Sequence, residues 1–283
     1  MKLRGSRPVL SPANHSQIFA ANRATGHISL RIGAFAGQTR RVHVHEDGSL
    51  RVRFPNSAHA GLEAVIVNTA GGMAGGDSFG IAMSVGAGAS LIAGTAAAEK
   101  IYRAVGTPTE MDVTLEIGEG ARLAWLPQET ILFDQARLNR RIDVDLAATA
   151  SLVMAEAVIF GRSAMGEVVE QGLLADRWRV RRAGRIVFAE SARIEGALAK
   201  KLMRAAVAAG GIAIATVLIA PADEAGIGAA RAVADQFIGE VGISAWNGIA
   251  VARLCARDGA ALRHDLIALL AALEQPVPRL WTN

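Results

Sequence analysis

The residues with the most chemical potential lie in one glycine-rich stretch. Asn68–Asp77 reads Asn-Thr-Ala-Gly-Gly-Met-Ala-Gly-Gly-Asp, two glycine pairs separated by Met73 and Ala74 and closed by a carboxylate. Gly71, Gly72, Gly75 and Gly76 permit a tightly bent backbone. A phosphate loop would end in Gly-Lys-Ser/Thr, and the dinucleotide-binding spacing is absent too. This loop ends in Gly-Asp, whose charge repels phosphate. Two readings remain. One is a turn joining Val65–Val67 to Phe79–Met83. The other is a carboxylate, Asp77, offered to a cation at a narrow backbone opening.

His43 and His45 form a His-x-His pair whose rings share one face of a strand. Amidohydrolase-type metal enzymes use that pattern, so a metal-dependent hydrolase built on His43 and His45 is one alternative. Such enzymes also need a parallel barrel and further histidines. Here the others are His15, His27, His59 and His264, and the surroundings read as hairpins. A solvent-facing sheet surface is the plainer reading. Metalloprotease helices, nucleophile elbows and Cys/His nucleophile pairs are absent from the sequence.

Carboxylates recur inside apolar, strand-like sequence: Asp77, Glu99, Glu129, Asp134, Glu156 and Glu167. Burying one is costly unless an arginine or a metal compensates it. Arg103, Arg137 and Arg162 are near in sequence, so ion pairs are the plain expectation. The functional version is a water-lined series of oxygen ligands, which hold transition metals more weakly than His or Cys does and so suit transit.

The elements that must position these groups read mostly as strands. Residues 1–25 read as a poorly ordered arm. His27–Ile32 alternates, and Arg41–His45 and Leu50–Phe54 flank Glu46-Asp47-Gly48 as a hairpin with Val42, Val44, Leu50 and Val52 facing the core. Met83–Leu91, Leu115–Leu123 and Val144–Leu152 repeat a strand, small-residue turn, strand pattern at offsets of 32 and 29 residues. The last two copies continue alike, as Glu129–Phe133 and Glu156–Phe160. Such units cannot bury an apolar face alone and imply stacked β layers. Arg177–Arg182 and Arg185–Phe188 form another hairpin. Ala197–Ala209, Glu224–Ile238 and Gly259–Leu273 read as helices, with strands over Ile243–Arg257. The apolar face of Ala261–Leu273 needs a partner or the core. Leu202–Ala220 reads as a buried helix running into a strand, not as a membrane span. The fold class is mainly β with appended helices (α+β): one domain over 26–283, with a layered or superhelical β body at about 26–195 and a mixed part at about 196–283.

Composition sets the outer bounds. The 283 residues are 51% hydrophobic and 20% charged, as in a folded soluble chain. The basic residues are 26 arginines and four lysines. Because acidic residues are interspersed almost everywhere, that excess reads as carboxylate-bearing partners or codon usage, not as nucleic-acid binding. Cys255 is the sole cysteine, which excludes an intrachain disulfide and a cysteine-rich zinc site. With no signal-like run at the start, a cytoplasmic home is expected.

Five ordered blocks over roughly residues 26–281 resemble the urease accessory protein D family (UreD, also called UreH). They are the Asn68–Asp77 loop; Thr95–Ala98 with Glu99, Lys100, Ile101, Tyr102 and Arg103; Trp125–Asp134 with Ala136–Leu138; Glu156, Phe160–Arg162, Met165–Glu167 and Asp176–Trp178; and Pro278–Trp281. Gln135 departs from the glycine that the resemblance leads one to expect there. The resemblance implies a layered β body without catalysis or a permanently bound cofactor. It also implies assembly with accessory protein F and the GTPase accessory protein G on apo-urease, with nickel in transit through a water-filled channel. On this basis Asp77, Glu99 and Glu129 are expected on the nickel path. Gly71, Gly72, Gly75, Gly76, Lys100, Tyr102, Arg103, Asp134, Arg162 and Glu167 are expected in structural or interaction roles. Neither nucleic acid nor membrane is an expected partner.

Overall fold

The computed structural model describes residues 23–56, 61–162 and 165–282. Residues 1–22 of the assigned arm, with His15, lie outside the described residues, as does His59; the first strand begins at Thr25.

A hairpin opens the fold. β1 (Thr25–Phe35) turns at Ala36-Gly37, both at positive φ, into β2 (Gln38–Gly48). The chain then crosses to a second sheet through β3 (Leu50–Arg53) and β4 (Leu62–Asn68). From there it winds in coils, each laying a strand in the first sheet, turning a short corner and returning through the second. The coils are β5 (Ser78–Val85) with β6 (Ser90–Thr95) and β7 (Glu99–Ile101); β8 (Thr109–Ile117) with β9 (Arg122–Trp125) and β10 (Thr130–Leu132); and β11 (Arg137–Leu146) with β12 (Ser151–Phe160). Equivalent strands pair in parallel, β5–β8–β11 in one sheet and β6–β9–β12 in the other.

The three repeat copies are the short corners of these coils. Ser90 lies beside Arg122, and Arg122 beside Ser151, so the 32- and 29-residue offsets are the lengths of successive coils. The continuation of the repeat is corrected by one residue. Thr130 pairs with Val158, not with Ala157. A one-residue slip exchanges faces. Glu156 accordingly points between the sheets, whereas Glu129 points outward toward a helix.

After the coils, β13 (Gln171–Arg182) joins β11 in parallel, and antiparallel strands finish both sheets. β14 (Arg185–Ala197) returns along β13 through Ala183-Gly184, as the sequence indicates. β15 (Ala213–Ala220) pairs with β12, β17 (Ile249–Ala256) with β15, and β16 (Glu240–Trp246) with β17. Three helices are described: α1 (Leu198–Leu202), α2 (Glu224–Ala232) and α3 (Gly259–Ala272). The result is a mainly β body with helices toward the C-terminus. No helix among the described residues is long and apolar enough to cross a membrane.

Three local expectations change. Arg41–His45 does not pair with Leu50–Phe54, because the chain changes sheets at Ser49. β2 instead pairs with β1 at the edge of its sheet, leaving Val42 51% and Val44 38% exposed while Leu50 and Val52 are buried. The helix predicted over Ala197–Ala209 stops at Leu202, since only Leu198 and Leu202 find cover; alanine propensity without a buried stripe does not sustain it. The helix from Glu224 likewise ends at Ala232, before a short 3₁₀ turn over Ala234–Gln236.

The main core fills the space between the sheets, from Ile28 and Leu30 to Leu174 and Val180. A second core lies on the outer face of the larger sheet, where Leu262, Leu266, Leu269 and Leu270 of α3 cover Ile92, Ala124, Val153, Ala155 and Ala157. The apolar face of Ala261–Leu273 thus meets the core of its own chain.

One polar cluster interrupts the main core. Arg140 on β11 is buried, and its Nη1 donates to Glu156 on β12 across the gap between the sheets. Its Nε and Nη2 donate to Asp176 on β13 at 3.1 and 2.5 Å. Trp125 Nε1 donates to Glu156 at 2.7 Å, and Trp178 Nε1 to Asp176 at 3.0 Å. Burial pulls the guanidinium toward neutrality, but Asp176 and Glu156 outweigh it and raise its pKa. Removing one member of a buried set strands the others. Arg140→Met is therefore expected to cost about 3–5 kcal/mol in urea denaturation. A variant that also replaces Glu156 and Asp176 with leucine should recover most of that loss.

Candidate functional site

The corners that carry each coil from the second sheet back to the first are irregular and unequal in length. They span residues 69–77, 102–108, 133–136 and 161–170. The glycine loop, Tyr102 and Arg103, residues 133–136, Gly161, Arg162 and residues 165–167 of the family-like blocks lie there, along one rim of the body, whereas Trp125, Glu156, Asp176 and Trp178 surround Arg140. β7 and β10 approach this rim as parallel rungs, with Glu99 beside Thr130, and β12 lies beyond β10. Met73 makes a further parallel bridge to Ile101.

Side chains from successive coils stack along the rim. Tyr102 Oη donates to Gly71 O at 3.1 Å. The Tyr102 ring meets Phe133 edge-on with centroids 5.0 Å apart, and Arg162 lies over the other coil's Phe133 ring at 4.3 Å. Arg162 Nε donates to Glu167 at 2.7 Å. Asp134 accepts from the Gln171 backbone amide at 3.0 Å, which joins the third corner to the fourth. That contact, with the side-chain and backbone amides of Gln135, holds its carboxyl below the usual range against the opposing effect of burial. The rim thus brings together Gly71, Gly72, Tyr102, Asp134, Arg162 and Glu167.

Gly72 explains its residue type by close approach. A Cβ there would lie 2.4 Å from the Tyr102 ring and 3.0 Å from Lys100 O, at φ +148. Gly75 is as confined, with Ala104 and Thr107 O both 2.6 Å from such an atom. Gln135 has φ 62, a conformation that favours glycine. Its side chain donates to Asp134 at 3.1 Å. Lys100 and Arg103 are exposed on the same rim, and Arg103 bridges Ala136 through its backbone.

The three carboxylates expected on a metal path have different surroundings. Asp77 is buried, and its two oxygens accept from Ala24 N at 2.9 Å and Ala74 N at 2.7 Å. It closes the glycine loop and ties β1 to it. Glu129 is held by Arg263 of α3 through Nε at 2.8 Å and through Nη2. Arg263 also reaches Trp281 O at 3.3 Å and stacks near that indole, which gives the C-terminal Pro278–Trp281 block its place. Glu99 points inward on the same side as Ile101 and Leu132, accepting from Asn68 Nδ2 at 3.0 Å. Among the described residues no cation lies within ion-pair distance of it. Burial pushes its carboxyl above the ordinary carboxylate range, and the Asn68 amide and Lys100 oppose that only in part. It does not pair with Arg103.

His43 and His45 share the outer face of the β1–β2 hairpin, on an open sheet surface with Arg31 opposite His43. Among the described residues no group of three or more His, Cys, Asp or Glu is arranged to hold a metal ion. Sequence reasoning missed Arg140 and Phe133. Alternation through Leu138, Arg140, Ile142 and Val144 already places Arg140 inward. Phe133 carried no such signal, because its role depends on neighbouring coils.

Glu99 gives a test independent of partners. A carboxyl whose folded pKa is raised favours folding in its protonated form, and that contribution is lost as pH rises through the folded pKa. Glu99→Gln keeps an acceptor for Asn68 and removes the charge. The variant should melt at a higher temperature than the wild type at pH 7, with the gap closing on acidification toward about pH 4. Thermal scans across that range would detect it.

A family model for "UreD urease accessory protein" matches residues 24–282. The chain is 57% identical over 270 residues to a urease accessory protein UreD of Rhodopseudomonas palustris (strain HaA2), covering 95% of this chain and 97% of the relative. It is 55% identical over 268 residues to one of Bradyrhizobium diazoefficiens, with the same coverage. A third, from Rhodopseudomonas palustris (strain BisB5), aligns end to end at 54% identity over 284 residues, with 100% of each chain covered. The coiled β body, the glycine loop sealed by Asp77 and the rim of motif residues are thus those of a member of the UreD urease accessory protein family.

Proposed function

We propose that this chain is a urease maturation factor. In this reading it is a non-enzymatic cytoplasmic scaffold that assembles with accessory protein F and the GTPase accessory protein G on apo-urease and assists nickel insertion. It holds no permanent cofactor, and nickel is its cargo. The observation that carries the reading is the match, over nearly the whole length of both chains, to proteins named urease accessory protein UreD.

The geometry supports a division of labour. The rim is the surface offered to partners. Tyr102, Val105, Met165 and Val168 are exposed there at 37, 87, 72 and 58% beside Lys100, Arg103 and Arg162. Apolar groups set among arginines suit a protein interface. Glu99 is the carboxylate best suited to a passing cation, because its buried charge lacks an ion-pair partner among the described residues and a divalent ion would relieve that cost. An oxygen ligand binds nickel weakly enough to release it. Asp77 and Glu129 belong to the same route in this reading, with Asp77 shaping the loop and Glu129, on the opposite face of the sheet from Glu99, exchanging Arg263 for the ion.

Co-expression with apo-urease and the other accessory proteins tests both parts. Glu99→Gln should lower the nickel content and activity of the urease several-fold while the accessory complex still forms. Adding Glu129→Gln should lower them further, and Asp77→Ala should also reduce activation. Val105→Asp with Met165→Asp should instead weaken co-purification of the partners. Full activation by the Glu99→Gln, Glu129→Gln variant would remove the carboxylate route. Normal assembly of the rim variant would remove the docking surface.

A further inference from the structure

The His-x-His motif leads to a different pair once the ladder is known. On β1 and β2, His27 lies opposite Asp47, Ser29 opposite His45, and Arg31 opposite His43. All of these lie on the outer face, since Ile28, Leu30 and Ile32 alternate with them into the core. His45 therefore sits diagonal to His27, a separation that large side chains bridge. Their ring centroids are 6.3 Å apart with planes tilted by 52°. His43 faces the guanidinium-bearing Arg31 instead.

The surface beneath the two rings is low. His27 lies beside Gly80 of β5, and Ser29 beside Ala82. A Cβ at Gly80 would come within 2.6 Å of His27 Nδ1, so the ring occupies space that only glycine leaves open. Both histidines and Asp47 are exposed.

These distances fit a metal ion. An imidazole nitrogen binds zinc at about 2.0–2.1 Å, which places the ring centroid about 3.2 Å from the ion. Two rings on opposite sides of one ion would then stand about 6.4 Å apart, close to the spacing already present. A small side-chain rotation brings them closer for an angled geometry. Imidazole suits nickel, copper and zinc, with water filling the remaining positions.

We propose that His27 and His45 form a surface site for one divalent transition-metal ion, on the outer face of the β1–β2 hairpin and independent of the inward-facing Glu99. With two imidazoles and water completing the shell, affinity is expected in the micromolar range. The motif histidine His43 is not a ligand.

Calorimetric titration of the full chain with nickel chloride, and separately with zinc chloride, tests this. His27→Ala and His45→Ala should each weaken the site by about tenfold or more, while His43→Ala leaves it unchanged. Paramagnetic nickel should broaden the imidazole resonances of His27 and His45 before those of other histidines. All three positions are exposed, so the variants should fold, which circular dichroism checks. Absence of binding by either metal would overturn the proposal. So would binding that survives loss of His27 and His45 together, or that His43→Ala weakens as much as they do.

Discussion

One guanidinium buried in the main core ties the two sheets together, while the Arg253–Glu190 pair joins them nearer the surface. Backbone ladders fix each coil against the next within a sheet, but the packing of one flat apolar face on the other is nearly non-directional. Arg140 ends that freedom. Its donors are fixed in a plane, and they meet Asp176 on the neighbouring strand and Glu156 on the facing sheet. The two tryptophans that donate to these carboxylates come from one sheet each. The cluster is costly to bury, and it repays that cost as specificity of alignment. Everything placed at the rim depends on that alignment, since the stacked side chains come from different coils.

The two sets of corners differ for the same reason. On one side the chain passes between sheets in four-residue turns that repeat from coil to coil, joined by bonds such as Gly120 N to Thr149 Oγ1. On the other side the corners are unequal in length, and each is tied to the next. Tyr102 reaches back to the glycine loop, Phe133 receives Tyr102 and Arg162, and Asp134 reaches forward to Gln171. A rigid scaffold with irregular loops on one edge is the usual arrangement for recognition.

Much of this was legible in the sequence because parallel coils repeat their corners. Val85 through Leu91, Ile117 through Leu123 and Leu146 through Leu152 carry the same pattern since each performs the same turn. The C-terminal helix and the hairpin at Ala183-Gly184 were equally plain. What escaped was decided by distant contacts. Alternation in Arg41–His45 is real, but it does not say whether the next strand pairs with it or changes sheet. Glu129 and Glu156 stand in matching sequence and on opposite faces, because the coil lengths differ by one residue in that part. The candidate site was readable as a set of blocks, but not as a surface. Which carboxylate has a cation beside it depends on Arg263 and Arg140, both far from their partners along the chain.

The way α3 covers the larger sheet has a consequence for synthesis. Ile92, Ala124, Val153, Ala155 and Ala157 form an apolar stripe whose cover comes from residues 261–281. Every coil that lays down this stripe leaves the ribosome long before its cover does. Until residues 261–281 emerge, the coils carry an open outer face, a surface on which another nascent chain or a chaperone can settle. The last turns of helix and the seat of Trp281 therefore act as a closing step, and a chain cut short there would keep its coils and lose its cover.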